Sequence, residues 1–193
     1  GSDTDFESPE IEISAVEYDS RKVRDGSLFV AVQGYSVDGN TYIPNAVKQG
    51  AAAVVTDRKG VHAPVPVIHV PDSRKALAIL SDRIFGSPQN TLVMTGITGT
   101  NGKTTTAYMV KSIFEANSIG CGLIGTIEHL IGGERIGSAN TTPESRDIHE
   151  FLTKIVDAKQ HACVMEVSSH ALALSRVYGI QYRAVAFLNL TRD

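Results

Sequence analysis

Residues 92–97 form an apolar run that leads directly into Gly96-Ile97-Thr98-Gly99-Thr100-Asn101-Gly102-Lys103-Thr104-Thr105-Thr106. Residues 107–117 then place Ala107, Val110 and Phe114 at helical spacing. The order is buried strand, glycine loop, helix. A helix N-terminus carries unpaired N–H groups and the positive end of the macrodipole, and Gly99 and Gly102 let the backbone approach a ligand closely. The turn therefore suits a polyphosphate. Lys103 is placed to reach the β/γ-phosphates and Thr104 to ligate Mg²⁺. One position departs from the phosphate-loop pattern Gly-x-x-x-x-Gly-Lys-Ser/Thr: Ile97 stands where glycine is required, and the nearest glycines are Gly96 and Gly99. This is a variant loop, and the competing reading is a glycine-rich turn with a solvated lysine.

Strand and helix signals alternate along the rest of the chain. Residues 11–16 are a weak strand candidate, 27–32 a buried strand, 42–49 a helix ending at Gly50, and 51–56 and 65–70 short strands. Asp72 is placed to cap a helix running through Phe85, whose Ala76, Leu77, Leu80 and Ile84 share one face. Gly86-Ser87-Pro88-Gln89-Asn90 is the clearest boundary, so the domain junction is placed there, giving domains 1–88 and 89–193. Alternation on both sides predicts two α/β units with largely parallel sheets. Farther on, residues 121–127 read as a strand and 130–136 as a hairpin centred on Gly132-Gly133. A helix starting at Pro143 buries Ile148, Phe151, Leu152 and Ile155. Residues 162–165 form a strand ending in Glu166, and 184–190 form the last strand.

The 193 residues are 42% hydrophobic, enough for a real core, and a net charge of −3 gives no bulk attraction for nucleic acid or an anionic membrane. No apolar stretch approaches the roughly 20 residues of a membrane span, and no signal peptide opens the chain. Gly1 and Ser2 read as a cloning remnant. Cys121 and Cys163 lie in apolar runs, as reduced packing thiols of a cytoplasmic protein do.

Three further segments carry candidate chemistry. Glu166 is an acid at the carboxyl end of a parallel strand, where open α/β sheets bind ligands and phosphate-loop enzymes keep the acid that holds Mg²⁺; a salt-bridged edge glutamate is the plainer alternative. Asn140-Thr141-Thr142-Pro143 offers more polar groups than one helix cap needs, so capping and ligand contact both stand. Ser168-Ser169-His170 brings serine next to histidine, but there is no Gly-x-Ser-x-Gly elbow to support a hydrolase.

Taken in order, Gly99-Thr100-Asn101-Gly102-Lys103-Thr104-Thr105, Asn140-Thr141-Thr142-Pro143, Met165-Glu166-Val167-Ser168-Ser169-His170-Ala171-Leu172 and Asn189-Leu190-Thr191-Arg192-Asp193 resemble the Mur ligases. Asp19-Ser20-Arg21 and Leu28-Phe29-Val30-Ala31 extend the likeness over nearly the whole chain. The family's loop tolerates an aliphatic residue at position 97. The resemblance implies an N-terminal α/β uridine-binding domain followed by a phosphate-loop ATPase domain with a parallel sheet, truncated here. It also implies an ATP- and Mg²⁺-dependent amide ligase of peptidoglycan synthesis, which adds a diamino acid to UDP-N-acetylmuramoyl-L-alanyl-D-glutamate through an acyl phosphate. In residue terms, residues 99–105 bind ATP, Lys103 neutralises the transferring phosphoryl group, and Thr104 and Glu166 hold Mg²⁺. Tyr18, Ser20, Tyr35, Ser36 and Val37 contact the uridine diphosphate end. Asn140, Thr141, Thr142, Ser168 and Arg176 contact the muramoyl-peptide end. A monomer is expected.

Two departures qualify the likeness. Leu174 stands where some members carry a glutamine. The family's Thr-Arg-Asp is followed by a metal-binding histidine, a carbamylated lysine and an acceptor domain, none of which is here. The chain thus reads as a fragment, expected to bind the substrate weakly and not to ligate. Two alternatives remain, a folylpolyglutamate synthase-like ligase and a non-catalytic UDP-sugar-binding module.

Overall fold

The hydrophobic runs of the N-terminal part are too short for helices and rich in β-branched residues, which favours strands. In the computed structural model, which describes residues 10–34, 37–138 and 140–191, they form β1 (Ala15–Glu17), β2 (Ser27–Ala31), β3 (Ala51–Thr56) and β4 (Val67–His69), with α1 (Ile43–Lys48) between β2 and β3. The strands pair in the order β1-β2-β3-β4, all parallel. Every residue of β2 is buried, as expected for an inner strand of a parallel sheet. Phe29 and Val54 from the sheet pack with Ile43 and Ala46 of α1 and with Val23. Each large side chain buried in this way contributes about 1.5–3 kcal/mol.

The chain divides into two compact units, residues 1–73 and 74–193. The division falls just after Ser73, the first residue of α2 (Ser73–Ile84), whereas Pro88 lies beyond the helix. Within the second unit α2 is fastened by Arg74 Nη1, which donates to Glu144 Oε2 at 3.2 Å and to the Leu174 carbonyl at 3.3 Å. At its other end, Asp82 accepts from Ser87 Oγ at 2.8 Å and Gln89 Nε2 at 3.0 Å.

The second unit continues with β5 (Val93–Thr98), α3 (Lys103–Ala116), β6 (Cys121–Ile124), β7 (Glu128–Ile131), β8 (Glu134–Gly137), α4 (Ser145–Asp157), β9 (Ala162–Glu166), α5 (Ser169–Ala173) and β10 (Ala184–Phe187). Its sheet runs β10-β5-β9-β6-β7-β8, parallel from β10 to β6 and antiparallel through the β7–β8 hairpin. The two-residue period of the strands separates two cores. Met94, Ile124, Cys163 and Met165 face Ile148, Leu152 and Ile155 of α4. Ile97, Cys121, Leu123, Ala162 and Val164 face Ala107 and its neighbours on α3. By the same alternation Glu166 falls on the α3 side of β9.

Both α/β units are those expected from the alternation, and the differences are local. α3 begins at Lys103, directly after the glycine loop, rather than at Ala107. The strand expected over 121–127 stops at Ile124. Pro143 is not the first helical residue, because α4 starts at Ser145 with Glu144 as its cap position. Glu144 makes no side-chain capping bond, since its carboxylate is taken by Arg176 and Arg74. Both cysteines are free and buried. Burial pushes the Cys121 thiol up to about 11 and the Cys163 thiol further in the same direction, so both are inert packing groups.

Candidate functional site

The loop between β5 and α3 is built so that the helix begins without a side-chain cap. Gly102 occupies the cap position at φ 85°, a left-handed conformation that glycine adopts without strain, and makes no capping bond. The first N–H groups of α3 thus carry no side-chain cap from that position. Lys103 Nζ donates to the carbonyls of Gly99 at 2.7 Å and Thr100 at 3.0 Å, folding its ammonium group over the loop. The far side of the loop is fixed by the segment after β10. Thr100 N donates to the Asn189 carbonyl at 3.2 Å, Thr191 N donates to Thr100 Oγ1 at 3.1 Å, and Asn101 and Asn189 bond through both backbone and side chain.

Glu166 is fully buried at the end of β9, beside β5 in the sheet. Its Oε2 accepts from Thr104 Oγ1 at 2.9 Å and from Thr126 Oγ1 at 3.0 Å, and its Oε1 accepts from the Thr126 backbone N–H at 3.0 Å. Among the described residues no positive group donates to this carboxylate. Gly125 makes the approach possible, because a Cβ there would lie 2.5 Å from Glu166 Oε1. Thr126 Oγ1 also lies 3.1 Å from Thr141 Oγ1. Thr142, itself buried, donates from Oγ1 to the Glu166 carbonyl at 2.9 Å and accepts from Ser168 N at 3.1 Å.

Arg176 Nη1 donates to the Thr142 carbonyl at 2.8 Å, and its Nε donates to Glu144 Oε1 at 2.9 Å. Ser168 Oγ caps α5 by accepting from Ala171 N at 3.2 Å. The expected residues Lys103, Thr104, Thr141, Thr142, Glu166, Ser168 and Arg176 are thus gathered at the carboxyl ends of β5, β6 and β9. Asn140, whose carbonyl accepts from Ser138 Oγ at 2.6 Å, heads the same segment.

This donor set can be tested against a magnesium ion. Mg²⁺ prefers octahedral oxygen ligands at about 2.0–2.1 Å, which places neighbouring oxygens roughly 2.9 Å apart. Thr104 Oγ1 and Glu166 Oε2 stand at 2.9 Å. Among the described residues no group of three or more His, Cys, Asp or Glu could hold an ion alone. The set fits an ion that shares its coordination with phosphate oxygens and water.

In the first unit, Tyr18 and Ser20 follow β1, Val37 lies in the loop after β2, and Arg58 follows β3, all at the carboxyl edge of a parallel sheet, where ligands of such sheets bind. Ser20 is buried and accepts from Asn45 Nδ2 at 2.9 Å. The loop after β2 is closed by Gly34 N donating to the Val37 carbonyl at 2.8 Å. Asp38 behind it accepts from Asn40 N and Nδ2, both at 2.9 Å, and pairs with Arg58. Bonds from Asn40 and the Arg58 guanidinium hold the Asp38 carboxyl below the usual carboxylate range. Tyr35, Ser36, Arg192 and Asp193 lie outside the described residues.

Sequence reasoning missed Thr126, Gly125 and Glu144. A Gly-Thr pair closing a strand beside the acid-bearing strand was the available signal for the first two. Glu144 stands next to the quoted Asn140 to Pro143 segment.

Comparison with known proteins gives a consistent result. Residues 97–193 match the Mur ligase middle domain and residues 12–84 the Mur ligase family catalytic domain. The chain is 48% identical over 185 residues to the UDP-N-acetylmuramoyl-L-alanyl-D-glutamate–2,6-diaminopimelate ligase of Clostridium perfringens, covering 95% of this chain and 38% of that protein. A solved structure of a ligase of the same name superposes with a TM-score of 0.79 at 25% identity, covering 94% of this chain and 37% of that one. The MurF ligase of Thermotoga maritima, solved in complex with ADP, superposes with a TM-score of 0.54 at 25% identity over 82% of this chain and 33% of that one.

Proposed function

We propose, for a chain that belongs to the Mur ligase family, that it supplies the uridine-binding and ATP-binding parts of a UDP-N-acetylmuramoyl-tripeptide synthetase. The chain spans 38% of the length of its Clostridium perfringens relative, so the activity proposed is that of the whole enzyme. The observation that carries the reading is the bond from Thr104, on the phosphate-loop helix, to the buried carboxylate of Glu166. It joins the two groups that phosphoryl-transfer enzymes need at one place.

In this reading the glutamate carboxylate of UDP-N-acetylmuramoyl-L-alanyl-D-glutamate attacks the γ-phosphorus of ATP, releasing ADP and forming an acyl phosphate. The amine of a diamino acid then attacks the acyl carbon, phosphate leaves and a proton is lost. A free carboxylate has no comparable leaving group. Residues 99–105 cradle the phosphates, the N–H groups that open α3 serving as donors while those of Thr100 and Asn101 bond Asn189, and Lys103 turns from its loop carbonyls to neutralise the transferring group. Thr104 and Glu166 would hold Mg²⁺, which supplies charge stabilisation at the phosphate oxygens. Asn140, Thr141, Thr142, Ser168 and Arg176 take the muramoyl-peptide end, Thr142 by holding Arg176 and Ser168 in place and Ser168 through its hydroxyl proton, which the cap of α5 does not use. Tyr18, Ser20, Tyr35, Ser36 and Val37 take the uridine diphosphate end. Domains 1–88 and 89–193 divide these tasks. We further propose a cytoplasmic monomer that neither binds nucleic acid nor enters a membrane; free buried thiols and the absence, among the described residues, of any helix long and apolar enough to cross a membrane support this.

Calorimetry on this chain tests the reading. The expected result is Mg²⁺-dependent binding of a non-hydrolysable ATP analogue, lost in Lys103→Ala with the circular dichroism spectrum unchanged, together with weak binding of UDP-N-acetylmuramoyl-L-alanyl-D-glutamate. Nucleotide binding by Lys103→Ala equal to that of the parent, or no uridine-nucleotide binding by the parent, would overturn it.

A further inference from the structure

Thr126 makes contacts that neither capping nor core packing explains. It is solvent-exposed, yet it touches the fully buried Glu166 with two donors and Thr141 with its hydroxyl. We infer that Thr126 is a positioning residue, one that holds Glu166 in a single orientation and couples occupancy of the cation and nucleotide end of the site to the segment of Asn140, Thr141 and Thr142. The inference rests on the ligase reading above.

The backbone contribution is fixed. Thr126 N–H occupies Glu166 Oε1 at 3.0 Å, and Gly125 leaves the space that this approach requires. The carboxylate therefore offers one oxygen, Oε2, toward Thr104, and a cation held there would meet that oxygen.

The side-chain contribution has two positions. The Thr126 hydroxyl has one proton and two acceptors within reach, Glu166 Oε2 at 3.0 Å and Thr141 Oγ1 at 3.1 Å. A carboxylate is the stronger acceptor. Without ligands the bonds therefore run from Thr141 O–H to Thr126 Oγ1, and from Thr126 O–H to Glu166 Oε2, where Thr104 O–H also ends. Were a divalent cation held by Thr104 and Glu166, fewer lone pairs of Oε2 would remain for the Thr126 proton. Thr126 then turns its proton to Thr141, and the Thr141 proton is released to an acceptor on the incoming substrate. One end of the site thus sets the donor direction at the other, and the effect is reciprocal because it is a difference in binding free energy. The two-state element is a hydroxyl rotor, which moves no backbone.

The test is calorimetry on this chain. UDP-N-acetylmuramoyl-L-alanyl-D-glutamate is titrated with and without Mg²⁺ and a non-hydrolysable ATP analogue, and the ratio of its two affinities is the readout. The ratio expected for the parent is about fivefold or more, within the usual range of such couplings. Thr126→Val keeps the backbone N–H and the shape but removes the rotor, so its ratio should fall to within about twofold of one, while Thr126→Ser should retain the parent's ratio. A parent ratio of one, a Thr126→Val ratio equal to the parent's, or a folded Thr126→Ser without coupling would each overturn the inference. If Thr126→Val does not fold, as judged by circular dichroism, Thr141→Val takes its place: it removes the partner of the rotor, so its ratio should likewise fall to within about twofold of one, and a ratio equal to the parent's would overturn the inference. A parent chain that binds neither ligand overturns the ligase reading along with this one, whereas binding of both ligands with unchanged coupling in the valine variant overturns this one alone.

Discussion

Asn101 and Asn189 exchange two hydrogen bonds, Asn101 N donating to Asn189 Oδ1 and Asn189 Nδ2 donating to the Asn101 carbonyl, each at 3.0 Å. The tip of the phosphate loop is thereby held from outside, 88 residues away in sequence. Asn189→Ala removes both bonds and keeps the backbone bond from Thr100. At about 0.5–1.5 kcal/mol for each of the two bonds, stability should fall by roughly 1–3 kcal/mol. Affinity for an ATP analogue should drop about tenfold, since the loop must then be ordered on binding. Urea denaturation and calorimetry read the two effects, and an unchanged nucleotide affinity would count against the clamp.

Glu166→Gln keeps the shape and the bond from Thr126 N–H but takes away the charge beside Thr104. Its expected signature is loss of the Mg²⁺ requirement in nucleotide binding, with uridine-nucleotide affinity within about threefold of the parent. Titrating Mg²⁺ against a fixed ATP analogue checks it. A magnesium dependence like the parent's would leave Glu166 a structural acid.

How much of this was legible in the sequence depends on how local each signal is. Gly102, Lys103 and Thr104 lie in one loop, so a single pattern located them, and the apolar run before Glu166 placed that acid at a strand end. Thr126 was hidden because Ile127 prolonged an apolar run, and the strand was read through it. The turn exists because Gly125 stops the strand at Ile124 and aims Thr126 N–H at Glu166, a partner 40 residues away. Glu144 was passed over for a similar reason. With the helix expected to start at Pro143 it reads as an ordinary first-turn acid, and only the arrival of Arg176 and Arg74 makes it an ion-pair centre.

Gly125→Ala should be the most disruptive small change near the site. The added methyl would meet Glu166 Oε1 at 2.5 Å and Leu123 Cδ2 at 3.0 Å, both on buried side chains. Overpacking of this kind costs about 1–3 kcal/mol. Urea denaturation should show that loss together with a weakened Mg²⁺ response. A stability within about 0.5 kcal/mol of the parent would mean that Glu166 has room to move.

Acid should destabilise the second unit through His149 and His129. Desolvation lowers both from the ordinary value of 6.5, and in His149 the facing Asp82 only partly opposes it. The folded state binds fewer protons than the unfolded chain. Stability from these groups is therefore complete above about pH 6.5 and is lost as pH falls below it toward their lowered folded values. The urea midpoint should drop between pH 7.5 and 5.5. His149→Gln should flatten that drop, and an equally steep drop in the variant would assign the acid sensitivity to other groups.

The adjacency of β5 and β9 carries a kinetic consequence. The bond between Thr104 and Glu166 joins residues 62 apart, and the two strands can pair only after the intervening α3, β6–β8 and α4 have been looped out. Parallel pairing across such a span is slow, because loop-closure entropy is lost before the contacts form. Helices α3 and α4 need no such closure. On refolding from urea, far-UV ellipticity should recover ahead of nucleotide affinity, so a chain that already looks helical will for a time lack the bond between Thr104 and Glu166.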